Sequence, residues 1–265
     1  MRLLLSSLFA VAAAALAAPS PRADNLSTSS PPRHIGVVLY DSFDLLDVAG
    51  VIEPLYLLSS QRPLNLSLIA PRLSPAFMRP APGELATYPP TSRFSLGVVP
   101  THTFSSPPPD MDVLLVPGGG GERVGNITDA IAFVRDTYPK VKHLISVCTG
   151  AGVVAQAGVL DGRRATTNKW AWENTTKHGK GVRWTSPARW VVDGNVWTAS
   201  GVTSGIDMIF EFMETFYGPE TTQLIQGAIE HKRTLDPCDD PFSAWWNVTS
   251  QGDCRLTPSL YGKRI

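Results

Sequence analysis

The stretch His143-Leu-Ile-Ser-Val-Cys148-Thr149-Gly150-Ala151-Gly152 decides the fold. The apolar run over 141–147 predicts a buried strand, and the small residues that follow have helical character up to residue 158. The chain must turn sharply between the two, and the small side chains let helix and strand approach closely. A strand that passes directly into a helix is typical of a parallel sheet covered by helices.

The remaining chain repeats this alternation of strands and helices. Turn-forming residues dominate 71–90. Strands are predicted over 35–40, 64–70, 94–99 and 112–117, helices over 47–60, 127–138, 203–217 and 219–231, and a β-hairpin around Asp193-Gly194 over 190–199. The fold class is therefore α/β, a parallel sheet between helices, with a β-hairpin and a C-terminal extension.

Composition limits the classes of function. Of the 265 residues, 43% are hydrophobic and 17% are charged, which is enough apolar material for a sizeable core. Lys and Arg together number 23, as do Asp and Glu, so the formal net charge is zero. This balance disfavours a nucleic-acid partner, which would require a basic surface.

The N-terminus predicts a secreted protein. Arg2 precedes an apolar stretch that ends in Ala15-Leu16-Ala17, a small-x-small pattern typical of a cleaved signal peptide; the alternative is a retained N-terminal anchor. We expect a signal peptide over 1–17, a Ser/Pro-rich linker over 18–33, an α/β domain over 34–232 and an extension over 233–265. No membrane association is expected after cleavage. Five N-x-[ST] glycosylation sequons agree with this route: Asn25, Asn65, Asn126, Asn174 and Asn247.

The three cysteines divide unevenly. Cys238 and Cys254 lie close together in the polar C-terminal tail, whereas Cys148 lies far away in an apolar run. In an oxidising compartment we expect Cys238 and Cys254 to form a disulfide and Cys148 to remain a free thiol.

Cys148 lies at a position in the sequence that is typical of a catalytic nucleophile. At the start of a helix, a cysteine faces unpaired N–H groups and the positive end of the helix dipole, which favour the thiolate. A sharp strand-to-helix turn of this kind is also the geometry of a nucleophile elbow. The alternative is a buried, inert cysteine.

Two further segments are expected at the same edge of the sheet. Gly118 and Gly119 begin a glycine run after a predicted strand, where backbone N–H groups could stabilise developing negative charge together with that of Thr149. A flexible turn is the alternative. Asp47 follows the first strand; it is either a helix N-cap or a carboxyl group that shares a proton with Cys148.

These motifs resemble the ThiJ/PfpI superfamily, whose members are related to class I glutamine amidotransferases. The Asp-containing loop, the Val-Pro-Gly-Gly strand end and the Ser-Val-Cys-Thr-Gly elbow carry the resemblance, which extends over about residues 34–232. It implies a flavodoxin-like fold that is often dimeric, so a homodimer remains open. The sequence is most similar to the isonitrile hydratase branch, which implies that Asp47, Cys148 and Thr149 are site residues.

The chain also departs from its relatives. Where relatives commonly have Ala-Thr-Thr-His-Trp, it has Asn168 and Lys169 before Trp170, and Val51 replaces a common proline. None of the five histidines occupies a motif position, which disfavours Cys-His-Asp hydrolysis. The tryptophans are expected to be core residues, with Trp170 or Trp172 as an alternative wall of a substrate pocket.

The resulting hypothesis is a secreted hydratase without a cofactor or metal, acting on a small carbon–nitrogen compound. Organic isonitriles are the leading substrates: the Cys148 thiolate would attack while Asp47 supplies a proton. Two alternatives remain open, namely a tailoring hydratase or hydrolase of secondary metabolism on the same scaffold, and a non-enzymatic redox-sensing or ligand-binding protein.

Overall fold

A computed structural model describes residues 30–81 and 92–255. The predicted signal peptide, Asn25 and most of the predicted linker lie outside these ranges. The strands are β1 (His34–Val38), β2 (Asn65–Ala70), β3 (Ala76–Met78), β4 (Leu96–Val98), β5 (His102–Thr103), β6 (Val113–Val116), β7 (His143–Val147), β8 (Arg164–Ala165), β9 (Arg183–Trp184), β10 (Trp190–Asp193) and β11 (Val196–Ala199). The helices are α1 (Leu45–Ser59), α2 (Gly120–Val124), α3 (Thr128–Thr137), α4 (Gly150–Gln156), α5 (Trp172–Thr175), α6 (Val202–Tyr217), α7 (Pro219–Ala228) and α8 (Phe242–Trp245).

Seven strands form the main sheet, in the order β10-β11-β7-β6-β1-β2-β5. All neighbours are parallel except β10 and β11, which form the predicted hairpin around Gly194, whose φ is 61°. Every residue of β1, β6 and β7 is buried, as a parallel sheet covered on both faces requires. The predicted flavodoxin-like α/β class is confirmed.

Helices pack on the sheet in two groups. Helices α1, α6 and α7 contact one another, and α6 also packs on β7, β10 and β11. Helix α4 contacts β6 and β7 as well as α2 and α3. Gly50 on α1 permits a close helix–helix approach, because an added Cβ there would lie 2.9 Å from Ile206 Cγ1 on α6. None of the helices in the described ranges is both long and apolar enough to cross a bilayer.

Two small strand pairs differ from the predictions. The segment 71–90, predicted as turns, contains β3, which pairs with β4 outside the main sheet. The parallel pair of β8 and β9 was not predicted either, because each strand has only two residues and gives no detectable alternation.

The order of strands creates the crevice in which the site lies. The chain runs from β1 outward to β2 and β5, and then returns to the other side of β1 with β6, β7 and β11. In open α/β sheets, ligands bind beyond the carboxyl ends of the strands where the direction of winding reverses. Here that point lies between β1 and β6, beside the elbow after β7.

Candidate active site

Cys148 forms a strained turn between β7 and α4. Its φ of 59° lies in the left-handed region, which is unusual for a residue with a side chain. Two buried contacts fix this conformation: the Cys148 N–H donates to Ala199 O at 3.0 Å, and the Thr167 hydroxyl donates to Cys148 O at 3.0 Å. The structure therefore contains the predicted sharp elbow at this position.

Asp47 reaches the same edge of the sheet from α1. It is fully buried, and its Oδ2 accepts a hydrogen bond from the Gly118 N–H at 2.7 Å, while Oδ1 has no hydrogen-bond partner among the described residues. One side-chain oxygen from each of Asp44 and Asp47 and the sulfur of Cys148 lie within 4.8 Å of one another. The N-cap of α1 is Asp44, so interpreting Asp47 as a helix cap was wrong.

Burial and the nearby charge of Asp44 oppose the ionisation of Asp47 and Cys148. Burial raises the pKa of Asp47 well above its ordinary value, and the nearby Asp44 raises it further, although the Gly118 hydrogen bond opposes the rise. Burial also raises the pKa of Cys148 well above its ordinary value, with further increases from Asp47 and Asp44. The pair therefore favours a neutral thiol beside a neutral carboxylic acid.

This finding corrects the expectation of a thiolate. The Thr149 N–H does hydrogen-bond to the Cys148 sulfur, which lowers the pKa of the thiol, as the helix-start argument requires. The cost of burying a charge is larger, however, because Cys148 is only 3% exposed.

The glycine run supports the site differently from the prediction. The Gly118 N–H donates to Asp47, and the Gly119 N–H donates to the Thr149 hydroxyl at 3.0 Å, so both amides already have acceptors. Gly118 also lies so close to the elbow that an added Cβ would be 2.6 Å from the Thr149 nitrogen. These amides therefore position the acid and Thr149 instead of forming an open oxyanion hole.

Sequence reasoning missed a further buried carboxyl group and a cation near the site. Glu122 directly follows the glycine run on α2, is 7% exposed, and has a pKa raised to about 7 by burial. The Arg123 guanidinium lies over the Trp170 ring, 4.9 Å from its centroid, and its charge lowers the pKa of Asp44 and of Cys148. The sequence signal that could have identified Glu122 and Arg123 is their position directly after a glycine run at the carboxyl end of a strand.

Three tryptophans line a separate cavity of about 400 Å³ between the α5 region and the C-terminal extension. Trp170 and Trp172 stand on one side, and Trp246 stands on the other. The cavity lining does not include Cys148, so it is distinct from the immediate surroundings of the thiol.

Among the described residues, Asp44, Asp47 and Cys148 form the group whose ligand atoms lie close enough together to hold a metal ion. Two carboxylates and a thiolate suit a borderline-soft cation such as Zn²⁺. Each buried ligand would first have to lose a proton whose removal the surroundings oppose.

The structure contains the predicted disulfide between Cys238 and Cys254, and Cys148 is free and buried. Among the sequons, Asn65, Asn126, Asn174 and Asn247 are all exposed. Exposure is what a glycosylation acceptor requires, and glycosylation itself stays a prediction.

Known proteins share this architecture and are similar to this chain in sequence. The chain is 32% identical over 231 residues to an isonitrile hydratase of Pseudomonas putida, which covers 85% of this chain and 91% of the relative. It is 24% identical over 216 residues to the HTH-type transcriptional regulator GbdR of Pseudomonas aeruginosa, covering 78% of this chain and 53% of the regulator. A crystal structure of a ThiJ/PfpI family protein from Pseudomonas syringae superimposes with a TM-score of 0.62 at 25% identity, over 83% of this chain and 84% of the other.

The family match adds to these relatives. The DJ-1/PfpI family matches residues 91–215, a range that contains the glycine run, the elbow and most of α6. Together with the long alignment to the Pseudomonas putida protein, this match shows that the chain belongs to the DJ-1/PfpI family.

Proposed function

We propose that this protein is a cofactor-independent hydratase that converts small organic isonitriles to N-substituted formamides. The observation that carries the proposal is the buried pair of Cys148 and Asp47, whose sulfur and carboxyl oxygen lie within 4.8 Å of each other in surroundings that raise the pKa of both groups. The similarity to an isonitrile hydratase over 85% of the chain supports the choice of substrate.

A neutral pair suits the first chemical step. The terminal carbon of an isonitrile, R–N≡C, accepts a proton and is then open to attack by a nucleophile. Asp47 donates its proton to this carbon, the Cys148 sulfur forms a bond to the same carbon, and the resulting Asp47 carboxylate takes the thiol proton. The product is a thioimidate, R–N=CH–S–Cys148, and Asp47 is again protonated.

The second step uses water and restores the enzyme. Asp47 protonates the thioimidate nitrogen, and its carboxylate then removes a proton from the water that attacks the carbon. The tetrahedral intermediate expels sulfur as the C=O bond forms, and the hydroxyl proton passes through Asp47 to Cys148. The sum is R–NC plus H₂O giving R–NH–CHO, with Cys148 and Asp47 unchanged.

Thr149 and the glycine run keep these groups in place. The Thr149 N–H hydrogen-bonds to the sulfur and so stabilises it as the leaving group. The Thr149 hydroxyl is held by Gly119, and Gly118 fixes the Asp47 carboxyl. We therefore assign Thr149 to sulfur stabilisation and the two glycines to positioning.

The direct test is incubation of purified protein with an alkyl isonitrile, with formamide formation followed by proton NMR. Wild type should produce formamide, Cys148→Ala should not exceed the buffer rate, and Asp47→Asn should be strongly slowed. The double variant Cys238→Ser/Cys254→Ser lacks the disulfide but keeps the Cys148 thiol. It should retain activity, which controls for a general effect of replacing cysteines. Formamide formation by Cys148→Ala at the wild-type rate would refute the proposal.

Assays of the same purified protein distinguish this function from the two alternative functions. A tailoring hydratase or hydrolase would leave isonitriles untouched but lose activity on another carbon–nitrogen substrate when Cys148 is replaced. A redox-sensing protein would show stoichiometric oxidation of Cys148 by peroxide and no turnover of any such substrate. A small-molecule partner is common to all three, and a homodimer is compatible with each.

We also propose that the protein follows the secretory route. The exposed sequons and the Cys238–Cys254 disulfide support this proposal, because both are typical of secreted chains. Mass spectrometry of protein from the culture medium should show a mature N-terminus near residue 18 and a mass that falls on treatment with an N-glycosidase. Full-length, unglycosylated protein confined to the cell would contradict it.

A further inference from the structure

The C-terminal extension contributes a buried charge to the body of the protein. Asp240 lies two residues after Cys238, and its Oδ2 is 3.0 Å from Lys169 Nζ, with both side chains only 1% exposed. Four further oxygens lie within 3.3 Å of Lys169 Nζ: Thr166 Oγ1, Thr167 O, Ala188 O and Ser200 Oγ. The ammonium group is therefore completely enclosed and depends on Asp240 for its countercharge.

The ion pair leads directly to the elbow. Thr167 accepts hydrogen bonds at its carbonyl from Lys169 Nζ at 3.3 Å and from the Ser200 hydroxyl at 3.1 Å. The hydroxyl of the same Thr167 donates to the Cys148 carbonyl at 3.0 Å. Thr167 therefore links the buried ammonium of Lys169 to Cys148. The left-handed φ of Cys148, 59°, has to be held by contacts with its surroundings.

Asp240 is itself fixed by the extension and the body together. Its Oδ2 also accepts from the Ala188 N–H at 3.1 Å and from the Ser243 hydroxyl at 2.9 Å. Further along, Gln251 and Ser186 exchange two backbone hydrogen bonds, of 2.7 and 2.9 Å. The Cys238–Cys254 disulfide closes the segment of the extension that contains Asp240, Ser243 and Gln251.

We propose that Asp240 and Lys169 are positioning residues for Cys148, so that the C-terminal extension completes the active site from outside the α/β domain. This inference rests on the proposed function in so far as Cys148 is the nucleophile. Without the Asp240 carboxylate, the enclosed ammonium loses its countercharge and the contacts that hold Thr167 weaken. Cys148 can then leave its left-handed conformation, and its sulfur moves away from Asp47 toward water.

This movement has a predicted signature in the thiol itself. Burial and the Asp47 charge raise the pKa of Cys148, so a sulfur that leaves this environment titrates at a lower pH. Asp240→Asn should therefore be alkylated at Cys148 by iodoacetamide at least about fivefold faster than wild type at pH 7, with a lower midpoint pH. Formamide production should show a kcat about tenfold lower with KM nearly unchanged, because ground-state binding is not the defect.

Matched variants separate positioning from simple stability. The neighbouring Asp239→Asn changes an exposed carboxylate and should behave as wild type in both assays. Asp240→Glu should restore part of kcat and of the slow alkylation. If Asp240→Asn does not fold, the apolar pair Lys169→Met with Asp240→Leu replaces the test, since buried ion pairs can often be exchanged for hydrophobic residues without loss of stability.

The alkylation assay needs no substrate, so it tests this inference separately from the proposed function. Altered alkylation in a folded Asp240 variant, together with no isonitrile turnover by wild type, would uphold the positioning role and reject the hydratase. A folded Asp240→Asn or double variant with a wild-type pH profile of alkylation and wild-type kcat would overturn the inference, even if its melting temperature were lower.

Discussion

At the scale of single residues, the site depends on a proton that Cys148 and Asp47 can exchange. Both groups are buried, Asp44 raises the pKa of each, Asp47 also raises the pKa of Cys148, and the Asp47 Oδ1 atom has no hydrogen-bond partner among the described residues. Two such groups titrate as a coupled pair, so a second negative charge forms only at a pH well above the first. In the proposed mechanism, catalysis begins from the neutral pair.

Replacing the acid tests this coupling. Asp47→Asn should lower isonitrile hydration by roughly 10²–10⁴-fold, the usual contribution of a positioned acid. It should also lower the pKa of Cys148, because a neutral amide no longer opposes the thiolate. The pH dependence of iodoacetamide alkylation measures this shift. Asp41→Asn, in the loop that precedes α1, is the control, since Asp41 pairs with Arg79 and not with the thiol; equal effects of both changes would contradict the assignment.

Glu122 makes a separate, pH-dependent contribution to stability. Burial raises its pKa from 4.5 to about 7, so the folded state binds more protons than the unfolded state between these values. Stability should therefore fall as pH rises from about 4.5 to 7, by about 3 kcal/mol in total. Glu122→Gln should remove this loss, leaving stability at pH 4 nearly unchanged and raising it at pH 8.

Urea unfolding at pH 4 and pH 8 measures the effect. The exposed Glu53→Gln serves as the control and should change stability by less than about 0.5 kcal/mol at either pH. If Glu122→Gln destabilised the protein equally at both pH values, the carboxyl group would have a structural hydrogen-bonding role instead.

At the scale of elements, the site depends on how closely α4 approaches the end of β6. Gly150 opens α4, and an added Cβ there would lie 2.8 Å from the carbonyl carbon and oxygen of Pro117 and nearer still to Val116 O. These obstacles are backbone atoms at the end of β6, which cannot rotate away as a side chain could. The elbow and the glycine run can therefore adjoin only because this helix begins with a glycine.

Gly150→Ala should therefore destabilise the protein by about 1–3 kcal/mol, the usual cost of overpacking, and should lower activity because it displaces the elbow. Gly227→Ala is the matched control. Gly227 also lies in a helix, α7, but nothing lies within 4 Å of its added Cβ, so alanine should be neutral or slightly stabilising. Thermal unfolding of both variants checks the comparison, and equal melting temperatures would contradict it.

At the scale of the whole molecule, the sequence predicts what depends on local pattern and misses what depends on distant packing. The hairpin around Gly194 and the strand that ends just before Cys148 were predicted because their signals lie within a few residues. The raised pKa of Cys148 was not predicted, because the effect of burial, which no local motif reports, outweighs that of the helix start. The pairing of Lys169 with Asp240 was equally hidden, since it joins segments that meet only after the sheet has formed.

The disulfide is the last element that ties the extension to the body. Cys238 and Cys254 are 16 residues apart, and closing such a loop stabilises the folded state by about 3 kcal/mol through the entropy of the unfolded chain. Cys238→Ser combined with Cys254→Ser should lower the free energy of unfolding by that amount, and a reductant should do the same to wild type. The double variant should not respond to reductant, which separates the effect from any reaction at Cys148. Unchanged urea unfolding of reduced wild type would show that the buried contacts of Asp240 and Ser243 hold the extension without the cross-link.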